Sequence, residues 1–216
     1  MAVRQYLLCM ARPRSFDRDY VLHAAERQFR ASGYSGTSVD ELSAATDLGR
    51  GSLYAAFDGK HGLLLDALNA YFARLGQFAP RALAGPDEGA LERLHGYLRR
   101  AVAGIPLAGD VPPADDRAAA ACFATKMALE IGASDPEVKR IADACFSVFV
   151  TAVAECVRAA QRSGDIDPDA DPDELAYLLV TIVRGIDVVG AYGHNPARLT
   201  SIAESAFALL PRPHQP

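Results

Sequence analysis

Between Thr37 and Lys60 the chain collects side chains that donate hydrogen bonds and carries few that catalyse. Thr37, Ser38, Ser52 and Tyr54 supply hydroxyls, and Arg50 and Lys60 supply cations. Such groups suit phosphate oxygens and base edges. The rest of the chain offers little for covalent or metal chemistry. It contains no G-x-S-x-G, H-E-x-x-H, P-loop or dinucleotide-binding pattern, and G-x-G at Gly49–Gly51 is too short and follows no strand. The five His form no ligand-spaced pair. The acidic run from Asp165 to Glu174 invites a calcium reading. Counted from Asp165, however, the sixth position is Ala170 and the twelfth Ala176, where a calcium loop needs Gly and Glu. That run reads as a solvated loop whose Asp173 caps the next helix. No metal and no cofactor are expected.

The elements that position the donors are short helices. Asp17 is a good N-cap for a first helix carrying Val21, Ala24, Ala25 and Phe29 on one face, with Gly33 as its left-handed stop. Ser38-Val39-Asp40-Glu41 is a capping box opening a second helix that ends near Thr46. Asp47-Leu48-Gly49 turns the chain, Arg50–Phe57 forms a third helix, and Asp58-Gly59 stops it. Two short helices joined by a tight turn have helix-turn-helix geometry. Leu42, Ala45, Leu48, Leu53 and Phe57 would be its shared core, leaving Arg50, Ser52, Tyr54 and Ala55 on the exposed face. Gly49 and Gly51 keep the leading end slim enough for a major groove. An ordinary helical hairpin with a surface tyrosine is the competing reading. It does not explain why small polar residues gather at the start of one short helix.

Beyond this point the periodicity stays helical, so the fold class is all-α. A helix from about Lys60 to Phe78 is expected to end at Pro80, with further helices at Ala90–Gly104, Arg117–Gly132, Pro136–Ser163, Asp173–Tyr192 and Ala197–Leu210. Residues 105–116 hold three prolines and read as a loop.

Composition bounds the rest. The chain has 216 residues, half of them apolar, and its 17 Gly and 13 Pro fall well short of a low-complexity segment. The longest uncharged stretch, Ala144–Ala154, is 11 residues, too short for a membrane span. Four Cys without C-x-x-C spacing, and no signal-like N-terminal run, suggest a reduced cytoplasmic protein. The net charge is −5, yet residues 1–62 hold eight Lys/Arg against seven Asp/Glu. Any nucleic acid must therefore be met there, by a few placed cations.

Residues 12–78 resemble the DNA-binding domain of the TetR (tetracycline repressor) family of bacterial regulators. The resemblance is carried by Phe29, Gly33-Tyr34, Thr37-Ser38, Leu42, Gly51-Ser52-Leu53-Tyr54, Phe57, and Lys60 followed by Leu63-Leu64. It implies an N-terminal helix-turn-helix domain and a C-terminal bundle that binds a small molecule and dimerises. By position, Thr37 and Ser38 would cap the second helix and touch phosphate. Arg50, Gly51 and Ser52 would meet bases or backbone, Tyr54 and Lys60 would reach phosphates, and Arg12 and Arg14 would form an arm on the DNA. Ala55 and Ala56 depart from the larger residues common there, Gly49 replaces the usual hydroxyl cap, and Asp47 stands where Gly is common. The opening Met10–Asp17 also resembles the start of many members.

The expected organisation is thus a 1–11 extension (disordered, or preceding a true start at Met10), a 12–62 DNA-binding domain, a 63–210 ligand-binding and dimerisation domain, and a 211–216 tail. The expected partners are a pseudo-palindromic double-stranded operator, an unidentified small-molecule effector and a second copy of the chain. Candidate pocket walls are Phe72, Leu75, Phe78, Tyr97, Cys122, Met127, Phe146 and Phe149. Cys145 and Cys156, three turns apart on one helix, read as core. The candidate dimer face comprises Leu175, Leu179, Ile182, Ile186 and Val189 on one helix and Leu199, Ile202, Ala206 and Phe207 on the next. Two-fold pairing also suits half-sites about 34–36 Å apart. Three other readings stand beside this one: a regulator sensing oxidants or electrophiles through Cys122, a helical enzyme, and a regulator that has lost DNA binding and acts through protein partners.

Overall fold

The structure is a computed structural model describing residues 16–102, 123–190, 193 and 195–213, with the side chain of Phe78 outside that set. Arg12, Arg14 and Cys122 lie outside the described residues. Among those described, all regular structure is helical: α1 Arg18–Ser32, α2 Val39–Thr46, α3 Arg50–Phe57, α4 Gly59–Leu83, α5 Ala90–Val102, α6 Phe123–Ile131, α7 Pro136–Arg162, α8 Pro172–Gly190 and α9 Pro196–Ala208.

The caps explain the boundaries. Asp17 accepts from the Tyr20 amide at 3.1 Å, and the Ser38–Glu41 box is formed in both directions. Gly33 ends α1 by donating to Phe29 O at 2.8 Å. Its φ of 75° and ψ of 174° place it outside the left-handed helical basin expected for a stop, in a region essentially reserved for glycine. Asp47 (φ 56°) holds the left-handed turn where glycine is common, as aspartate tolerates.

Among the helix ends that differ from the sequence-based reading, two have a clear physical cause. α4 does not end at Pro80 but continues to Leu83. The proline forfeits one backbone hydrogen bond, while continuing the helix buries Ala79 and Leu83 and lets the Ala84 amide close on Pro80 O at 2.9 Å. α8 is capped by Asp171, not Asp173: one Asp171 oxygen accepts from the amides of Asp173 at 2.8 Å and Glu174 at 3.2 Å. The Asp173 carboxylate instead receives Arg158 on both oxygens at 2.7 Å.

One hydrophobic core runs from Val21 to Leu210 and passes through the expected boundary at residue 62 without a break. α4 is the reason. It packs against α1, α2 and α3 of the head and also against α5, α6 and α7 of the bundle. The C-terminal end of α3 lies directly on α4: a Cβ at Gly62 would stand 1.8 Å from Phe57 O, so only glycine fits. Cys145 and Cys156 are buried in this core, and the Cys156 thiol donates to Ala90 O at 3.3 Å. No described helix is long and apolar enough to cross a membrane, and no described group of three His, Cys, Asp or Glu is placed to hold a metal.

Candidate nucleic-acid interface

The helix pair α2–α3 rests on buried Leu42, Leu48, Leu53 and Phe57, with Thr46 rather than Ala45 completing the seal. This leaves Arg50, Gly51, Ser52 and Ala55 exposed, with Tyr54 55% exposed beside them. One side of the Tyr54 ring lies over Gly59, where an added Cβ would stand 3.0 Å from Cε1, and the other side faces water with its phenol available to a partner.

Thr37 and Lys60 are placed differently from the phosphate contacts expected of them. Thr37 is buried and its hydroxyl donates to Gly33 O at 2.6 Å. That bond satisfies a carbonyl at the end of α1, so the side chain cannot meet a phosphate. Lys60 spends two of its three donors on Tyr34 O and Thr37 O, each at 2.8 Å, and its ammonium lies 4.3 Å from the Tyr34 ring centre. It closes the α1–α2 corner from below, leaving one N–H and its charge for a ligand. Ser38 is exposed, but its hydroxyl both accepts from the Glu41 amide and donates to the Glu41 carboxylate. The Ser38 backbone N–H, which donates to the Glu41 carboxylate at 2.7 Å, and then the Ser38 hydroxyl hold the Glu41 carboxyl below its ordinary pKa.

Arg50, the first residue of α3, reaches back to Asp40 on α2. Its Nε donates to Asp40 Oδ1 at 2.5 Å and its Nη2 to Oδ2. The guanidinium hydrogen bond lowers the Asp40 pKa, and the carboxylate raises that of Arg50. The sequence alone did not single out Asp40.

A second set of contacts, equally absent from the sequence reading, ties this head to the bundle. On α6, Lys126 donates to Arg30 O and Glu130 accepts from the amides of Tyr34 and Ser35, each at 2.8 Å. One turn of α6 thus holds the end of α1 by a carbonyl and the following corner by two N–H groups. Burial pushes the Glu130 pKa up, but the Ser35 and Tyr34 amides and the Lys126 charge outweigh it, and the net shift is downward. Nearby, His61 Nε2 donates to Asp135 Oδ2 at 2.6 Å while Asp135 Oδ1 caps α7. On the other side of α1, Glu26 pairs with Arg30 and Arg74, whose guanidinium groups both lie against the Tyr71 ring.

The residues expected to wall a pocket are mostly core. Tyr97, Met127 and Phe149 are buried, Phe146 meets Tyr177 edge-on at 5.1 Å, and Phe72 and Leu75 are half-buried against the core. None of them lines the cleft of about 550 Å³ between α4, α5 and α7, where Pro80, Leu83, Val148 and Ala152 form apolar walls beside Arg93 and Arg162.

On α8 and α9 the apolar residues divide. Leu179, Ile186 and Leu199 are buried within the protomer, and Leu175, Ile182, Ala206 and Phe207 are half-buried. This packing takes the first three out of the expected dimer face. The outward apolar residues are Tyr177, Leu178 and Val189 on α8, Ile202 on α9, and Leu209 just past its end.

Comparison with known proteins settles the ancestry. Residues 90–206 match the family described as tetracyclin repressor-like, C-terminal domain, and residues 21–67 match bacterial regulatory proteins, tetR family. The chain belongs to the TetR family. It is a DNA-binding transcriptional regulator. The HTH-type transcriptional repressor ComR of Escherichia coli is 26% identical over 200 residues, covering 93% of this chain and 91% of that protein. The regulator YezE of Bacillus subtilis is 30% identical over 173 residues, covering 79% and 84%. Among solved structures, a cysteine mutant of the TetR family regulator CifR, complexed with 26-bp double-strand operator DNA, superposes with a TM-score of 0.73. It is 30% identical and covers 93% of this chain and 100% of that one.

Proposed function

We propose that this TetR-family regulator is a homodimeric repressor that holds a pseudo-palindromic operator through α3 and releases it when a small molecule binds the bundle. The observation that carries the reading is the exposed leading face of α3, where Arg50, Gly51, Ser52 and Tyr54 stand clear of the core that fixes the helix. Relatives named as repressors, ComR and DhaR, and the operator-bound CifR support it. The outward apolar residues of α8 and α9 support pairing with a second copy, since a soluble monomer gains nothing by exposing them. A cleft of about 550 Å³ has the size of small-molecule sites and lies on α4, whose other end carries the DNA-binding helices. Release then requires the effector to favour a conformation in which α4 and α6 carry the head out of register.

The test is fluorescence anisotropy on the DNA upstream of the regulator's own gene, against scrambled duplex, at two salt concentrations. Specific binding that weakens with salt, and weakens roughly tenfold in Tyr54→Phe through loss of one hydrogen bond to a charged phosphate, is the expected result. Equal binding to operator and scramble refutes it.

A further inference from the structure

We propose that Asp40 is a specificity-determining residue: it presents the Arg50 guanidinium edge-first, so that α3 reads a guanine in each operator half-site. This rests on the reading of α3 as the recognition helix and deepens it by naming a base.

The argument starts from which donors are spent. A guanidinium has five N–H groups in a rigid fork. Asp40 takes Nε and Nη2, which form one side of the fork. What remains is the far end, where Nη1 and the second N–H of Nη2 point the same way. Two parallel donors on one edge match O6 and N7 of guanine in the major groove, the commonest specific arginine contact. Arg50 is the first residue of α3, and the leading residues of a recognition helix are those that reach base edges. Arg50 is exposed, and the glycines on either side of it, Gly49 and Gly51, are exposed too and add no side chain to the approach.

Electrostatics make the pair hard to explain otherwise. Asp40 and Arg50 are both about two-thirds exposed, at 67% and 64%, so their bond adds little to folding. A carboxylate on the face that meets phosphates also opposes binding in general. Its compensation is geometric, because an arginine already held in one orientation gives up less freedom when DNA arrives. An arginine serving only as a phosphate contact would need no such partner.

The experiment selects sequences from a randomised double-stranded DNA library with the full-length protein, comparing wild type with Asp40→Asn, Asp40→Ala and Arg50→Lys. The wild type should enrich one guanine per half-site. Loss of the bidentate geometry should cut discrimination at that base pair by about tenfold or more in all three variants. Both Asp40 variants should bind scrambled duplex as tightly as wild type or more tightly, since a negative charge has been removed. The exposed positions leave folding intact, which thermal melting verifies. Retention of the guanine by Asp40→Asn, its retention by Arg50→Lys, or a uniform loss across all sequences overturns the inference while leaving α3 as the DNA-binding helix. A wild type that enriches no motif removes the recognition-helix reading, and this inference with it.

Discussion

Glu130→Ala cuts the carboxylate contact by which α6 holds the α1–α2 corner. The carboxylate accepts two backbone N–H groups at 2.8 Å, from Tyr34 and Ser35. Hydrogen bonds to a charged group contribute about 1.5–3 kcal/mol each, but Glu130 is exposed and water competes, so about 1 kcal/mol apiece is the fair figure. The loss is then about 2 kcal/mol, with the Lys126 bond to Arg30 O left in place. For a chain of this size that lowers the melting temperature by roughly 4–8 °C. If the two amides exchange through local opening of the corner, they should exchange roughly thirtyfold faster in the variant.

The contact also has a pH signature. The folded pKa of Glu130 lies below the ordinary value, so its contribution is fully present above about pH 5 and is lost as pH falls through the folded value. The gap in melting temperature between wild type and Glu130→Ala should be constant near neutrality and close in acid. Because the corner leads into the recognition helices, the variant should also weaken effector-driven release. Thermal melting across pH, with amide exchange at Tyr34 and Ser35, is the assay. A melting change below about 1 °C with unchanged exchange at both amides would refute the reasoning.

Gly33→Ala should cost about 1–3 kcal/mol, because φ 75° with ψ 174° suits no side chain. Its Cβ would also stand 2.6 Å from a Glu130 oxygen, so melting should fall and the clasp should loosen together. Unchanged melting contradicts that backbone. In chemical denaturation Asp171→Ala should lose about 1 kcal/mol as a missing helix cap, whereas Asp173→Ala loses only a surface ion pair. The reverse order would return the cap to Asp173.

The local signals in the chain were sufficient for the DNA-binding head. Ser38 and Glu41 satisfy each other within four residues, so a reader of the sequence sees the complete cap. Asp17, Gly33 and the Asp58-Gly59 stop likewise act on their immediate neighbours, and helix order followed from them. The leading face of α3 was legible because Leu53 and Phe57, one turn apart, determine which side points inward. Pro80 shows where such reasoning stops, since its local preference for a break yields to the burial of Ala79 and Leu83.

Residue type did not reveal which way a side chain faces when two faces are chemically acceptable. Thr37 and Ser38 are adjacent hydroxyls, yet one is sealed under Gly33 and the other faces water. Leu178 and Leu179 are adjacent leucines, one outward and one in the core, because α5, α7 and α9 pack against α8 and leave Leu178 uncovered. The sequence by itself determined the all-helical class, the helix-turn-helix and its exposed tyrosine, since these depend on hydrogen bonds and burial patterns completed within a few residues. Only the tertiary structure decided that Asp40 orients Arg50, that Lys60 serves the corner, and that Glu130 grips amides about 95 positions away. Those pairings form only when packed helices bring donors and acceptors within 3 Å, and no local periodicity encodes that distance.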